Sequence, residues 1–135
     1  MSKILFLLLI SQALFPFNWD SLHTYTLKKD QVAKVEITNR EDQTKELIKF
    51  RWTLYTNKRL VLLLKKGAYP TQYILQQRYK ANSIKINLSD EYIDEFDRAF
   101  LRLSFKDFKS KKAKFDLFVS DPKKRFYVEF IDPKN

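Results

Sequence analysis

The stretch Ile48-Lys49-Phe50-Arg51-Trp52-Thr53-Leu54-Tyr55 decides the fold class. Side chains alternate along it with a period of two, placing Ile48, Phe50, Trp52 and Leu54 on one face and Lys49, Arg51, Thr53 and Tyr55 on the other. Successive residues of an extended strand point to opposite sides, whereas a helix would spread these eight around its circumference. The segment therefore reads as a half-buried strand with Trp52 in the core and Tyr55 facing outward.

The same alternation recurs on both sides of it. Ala33, Val35 and Ile37 precede it, and Ile84, Ile86 and Leu88, then Leu101, Leu103 and Phe105, follow. Ala113, Phe115, Leu117 and Val119, then Phe126, Val128 and Phe130, continue the pattern toward the C-terminus. Leu60 to Leu64 is apolar on both faces and reads as a central strand. Tyr25 to Leu27 and Tyr73 to Tyr79 are weaker strands, the second with a short helix opened by Pro70 as its alternative. Turn residues separate these runs, among them Thr56-Asn57-Lys58, Lys66-Gly67-Ala68, Lys109 to Lys112 and Asp121-Pro122-Lys123-Lys124. Eight or nine strands spaced by roughly 8 to 12 residues, with no helices between them, indicate an all-β sandwich or barrel, and an immunoglobulin-like sandwich is expected. One segment differs. Ser89 is placed to cap a short crossover helix whose first turn holds Asp90 and Glu91, with Tyr92, Ile93 and Phe96 turned to the core.

The 135 residues suit one domain, and a chain of about this size buries roughly two thirds of its unfolded surface without needing metals or disulfides. There are no cysteines to form any. Twelve Phe, seven Tyr and two Trp supply large buried areas. A single glycine, Gly67, cannot build the glycine-rich loops on which dinucleotides and nucleoside triphosphates sit, so no such cofactor is expected. A net charge of +10 favours anionic partners in general.

At the N-terminus, Lys3 precedes the apolar run Ile4 to Ile10, and Ser11-Gln12-Ala13 places small residues where a signal peptidase cuts. Residues 1–13 are read as a signal peptide and 14–135 as the mature domain. A retained anchor and an ordinary buried first element are the other readings, the anchor being short because a spanning helix needs about 20 apolar residues. The missing cysteines favour a periplasmic location over a disulfide-rich extracellular one, and no stable membrane insertion is expected after cleavage.

Candidate sites are few. His23 is the only histidine and lacks the partners that zinc sites and nucleophile-base pairs use; it reads as a strand-end residue, and no metal or catalytic group is expected. Asp90, Glu91, Asp94, Glu95 and Asp97 form a solvated acidic face or a docking surface, without calcium-loop spacing. Lys124 to Phe130 has only a partial likeness to an RNA-recognition strand and lacks its glycine, so nucleic acid is not an expected partner. Tyr55, Phe118 and Tyr127 lie opposite the better apolar faces of their strands. With Lys114 and Arg125 beside them they have the aromatic and basic make-up of a protein interface. Phe118 and Tyr127 would share one outer face if their strands formed a hairpin.

The leader Met1 to Ala13 and the Lys-, Phe- and Ile-rich, glycine-poor strands such as Leu101 to Val119 resemble those of small periplasmic proteins of flagellated epsilonproteobacteria. Some of that group are accessory scaffolds of the flagellar motor. This likeness of composition implies a periplasmic structural role and assigns no residue. Together these readings predict a non-catalytic interaction protein with a protein partner or a second copy as its target, and an anionic envelope polymer as the alternative.

Overall fold

In the computed structural model, which describes residues 21–77, 80–89 and 95–134, the alternating segments become nine strands. These are β1 (Ser21–Lys28), β2 (Ala33–Asn39), β3 (Lys45–Thr56), β4 (Arg59–Lys66), β5 (Tyr69–Gln76), β6 (Ser83–Asn87), β7 (Phe100–Lys109), β8 (Lys112–Ser120) and β9 (Phe126–Ile131). They form two antiparallel sheets, β1-β8-β7-β6 and β5-β4-β3-β2-β9. The inward faces of the two sheets make one core. Tyr25 of the first sheet meets Phe50 of the second edge to face at 5.4 Å, and Phe50 meets Phe115 of the first at 5.6 Å. The predicted sandwich is the fold.

Its strand order differs from the immunoglobulin arrangement, in which strands far apart in sequence interleave within each sheet. Here β2 to β5 and β6 to β8 are simple meanders, and the long-range pairings β1·β8 and β2·β9 join the chain ends to them. The chain changes sheets three times, after β1, β5 and β8. Two of these changes are held by specific bonds. Trp52 Nε1 donates to the Leu27 carbonyl at 2.8 Å and the Asp30 amide donates to the Trp52 carbonyl, tying the first crossover to β3. Buried Asp121 accepts the amides of Arg125 and Phe126 at 3.0 and 2.9 Å, turning the chain from β8 into β9. Because β8 and β9 belong to different sheets, they form no hairpin.

At the seam between β1 and β9, His23 stacks on Phe130 with ring centroids 4.9 Å apart, and its Nε2 lies 2.9 Å from Asp132 Oδ1. Beside it, the Tyr25 hydroxyl donates to the Lys34 carbonyl at 2.9 Å. Burial pushes this phenol well above its ordinary range, with the Asp132 charge adding to the effect and a backbone bond from Ile131 opposing it.

Two β-bulges revise the alternation. In β3 the register shifts between Trp52 and Leu54, so Thr53 is the extra residue. Leu54 consequently turns outward, opposite Val61, and Tyr55 turns inward, opposite Leu60. Both assignments from simple alternation are reversed at these two positions. A second bulge at Lys106 in β7 brings Phe108 inward, where it stacks on Tyr55 at 3.9 Å.

The segment from Tyr73 onward is strand β5 and not a helix, with Arg78 and Tyr79 outside the described residues. Pro70 is accommodated because β5 lies at a sheet edge. Most of the expected crossover helix, Asp90 to Asp94, also lies outside the described residues; its end is a 3-10 turn at Glu95–Asp97. Ser89 Oγ accepts the Ala99 amide at 2.8 Å, and the amides it is expected to cap lie outside the described residues. Phe96 faces solvent, not the core, with 88% of its surface exposed.

Candidate protein-association face

The bulge at Thr53 has a consequence on the outer side of the five-stranded sheet. Leu54, Val61 and Ile74 stand directly opposite one another on β3, β4 and β5. Leu54 and Ile74 are 51% and 58% exposed, and Val61 between them is half-buried. One step along the strands, Leu63 lies between Arg51 and Gln72. One step further, Lys34, Lys49 and Lys65 are aligned across β2, β3 and β4, all three exposed. An open groove of about 420 Å³ lies here, with Val32, Lys49, Arg51, Leu63, Lys65 and Pro70 among its lining residues.

Like charges directly opposite on neighbouring strands destabilise a sheet, by an amount comparable with the roughly 0.2 to 1 kcal/mol that opposite charges contribute. Lys34, Lys49 and Lys65 have no carboxylate within ion-pair distance among the described residues; the nearby Arg51 has Asp30 at 3.8 Å. The face thus combines an apolar row with an uncompensated basic one.

The residues singled out from sequence are not gathered into one site. Tyr55 is removed from the outer surface by the bulge; it packs on Phe105 and Phe108, and its hydroxyl bonds Gln77 Oε1 at 3.2 Å. Phe118 lies on the outer face of the four-stranded sheet and Tyr127 on that of the five-stranded sheet, so the shared aromatic patch does not form. Lys114 is exposed on β8 opposite Thr26 and Asp107, on the Phe118 side. Arg125 lies in the β8–β9 crossover, its amide bonded to Asp121 and its carbonyl accepting the Arg40 amide at 2.8 Å.

On the Phe118 face, Leu22 stands directly opposite Phe118 with 68% of its surface exposed. Phe118 lies 6.1 Å from Phe100, whose ring has Lys85 Nζ at 4.5 Å and the Arg102 guanidinium at 5.8 Å. Cations held over an aromatic ring are partly satisfied there. The lysine row on the opposite face has no such arrangement. Leu54, Val61, Leu63 and Ile74 were missed because straight alternation assigns Leu54 inward, and a run such as Leu60 to Leu64 does not reveal which of its faces is covered.

The acidic segment contributes one described ion pair, Asp97 to Lys123 at 3.7 Å. Its loop is closed at the neck by the Leu88 amide bonding the Ala99 carbonyl at 2.9 Å. Among the described residues, no three His, Cys, Asp or Glu side chains are grouped so as to hold a metal ion. No family model, curated protein or solved structure matches the chain.

Proposed function

We propose that this chain is an interaction protein that works by protein association through the outer face of its five-stranded sheet. The observation that carries the reading is the row Leu54, Val61 and Ile74, apolar and outward on three adjacent strands beside Lys34, Lys49 and Lys65. An apolar centre with a polar rim is the anatomy of a protein interface. An outward apolar row and a like-charged row give the isolated fold nothing, whereas a partner of opposite charge would use both. Export to the periplasm and a scaffolding role in a cell-envelope assembly belong to the same proposal, on the strength of the leader Met1 to Ala13.

The lysine row also favours a second reading, binding of an anionic envelope polymer. Salt separates the two, because screening weakens exposed charge contacts steeply and apolar contacts little. A photo-cross-linking residue placed at Ile74 and, separately, at Arg102 on the opposite face tests the proposal in the native cells. A discrete protein adduct is expected from Ile74 and not from Arg102, persisting in high salt. Adducts from Arg102 alone, or none from Ile74, would remove the association face from consideration.

A further inference from the structure

The five-stranded face and the β6–β7 loop of the same chain are chemically complementary. Phe96 projects from that loop with 88% of its surface exposed, and its sequence neighbours are Glu95 and Asp97. A phenylalanine so placed stabilises nothing within its own chain, since its benefit comes only when its surface leaves water. The groove presents the opposite composition: Leu63, Val32 and Pro70 with Lys49, Arg51 and Lys65 among them. Size also agrees, because an enclosed cavity of about 150 Å³ accommodates a benzene ring and this open groove measures about 420 Å³. Phe96 is not seated in the groove of its own copy, as its exposure shows.

We infer that copies of this chain associate head to tail, Phe96 of one entering the groove over Leu63 of the next. Lys49 and Lys65 then face Asp97, which within one copy pairs with Lys123 at 3.7 Å. This inference rests on the reading of the five-stranded face as an association surface and names its occupant. Such a contact is heterologous, joining two different patches, so it leaves one groove and one Phe96 free at the ends of every chain of copies. Association therefore proceeds beyond a dimer unless the rotation closes a ring.

Two variants of the full chain test the pairing. Phe96→Ser removes the projecting side chain and keeps the groove, while Lys49→Glu with Lys65→Glu reverses the groove's charge and keeps Phe96. All of these positions are exposed, and thermal unfolding checks that each variant folds. Sedimentation equilibrium of the wild type should show an average mass rising with protein concentration and little changed by added salt, since the contact centres on apolar surface. Each variant alone should remain a single chain, and an equimolar mixture should form a capped dimer and nothing larger.

A wild type that stays monomeric to its solubility limit would overturn the inference. So would a variant that associates as the wild type does, or a mixture that remains monomeric. A monomeric wild type that still gives an Ile74 adduct with a different protein removes self-association and leaves the association face standing. Loss of the Ile74 adduct removes both.

Discussion

Leu54 and Tyr55 show how much turns on a single residue. Between Trp52, opposite Leu62, and Leu54, opposite Val61, Thr53 is the extra residue without a partner of its own on β4, and it exchanges the sides of the two that follow. The energetic result runs opposite to simple alternation. Leu54→Ser should cost about 0.5 kcal/mol or less, as substitutions at exposed positions usually do. Tyr55→Ala should cost several times more, about 2 to 4 kcal/mol, because the ring packs on Phe105 and Phe108 and its hydroxyl bonds Gln77. Urea unfolding of the two variants measures both, and a larger loss at Leu54 would place the bulge wrongly.

At the scale of elements, the hairpin turns carry a cost that follows from the near absence of glycine. The β3–β4 turn places both Asn57 and Lys58 at positive φ, 52° and 62°, and the β7–β8 turn does the same with Ser110 and Lys111, at 53° and 61°. Two consecutive left-handed residues match the twist of a two-residue hairpin, for which Asn-Gly is the favoured pair. Asn57 tolerates this region, but a lysine there has its Cβ close to the following carbonyl. Only the β4–β5 turn uses Gly67, at φ 59°. Lys58→Gly and Lys111→Gly should each raise stability by about 0.5 kcal/mol, the relief of strain exceeding the added entropy of the unfolded chain. Calorimetry checks the sign; lower melting temperatures for both would show that the lysine side chains contribute more than their backbone strain removes.

At the scale of the whole molecule, each sheet is completed by a pairing between strands far apart in sequence. β1 adds to β8 and β9 adds to β2, so segments about a hundred residues apart in sequence complete the sandwich. Phe130 and Asp132 then fasten the seam through His23. Removal of residues 126–135 strips the pairing edge of β2 and uncovers part of the core under Val128 and Phe130. The truncated chain should lack the single cooperative unfolding transition expected of one shared core. Near-ultraviolet circular dichroism during heating measures this, and a retained sharp transition would mean that β9 is an accessory strand. The same topology predicts slow folding, in milliseconds to seconds, because loops between distant strands must close before their contacts form.

Local pattern alone determined that this protein is built of half-buried β-strands, since a period of two is a property of neighbouring residues and needs no partner to be read; that the strands form two packed sheets rather than a barrel was decided by the tertiary structure. Ile48, Phe50, Trp52, Leu101, Leu103, Phe105, Phe115 and Leu117 are all buried as their alternation requires. Gly67 and Asn57-Lys58 likewise stand in turns. Three further matters were decided only in the tertiary structure. A bulge depends on how many residues face one partner, so the sequence of β3 by itself does not show that Thr53 is extra. Sheet membership depends on which edges meet, so Phe118 and Tyr127, close in sequence, end on opposite faces. Exposure depends on what lies above a strand, and it is this that turned Phe96 from an expected core residue into a solvent-facing one and revealed Leu54, Val61 and Ile74 as a surface.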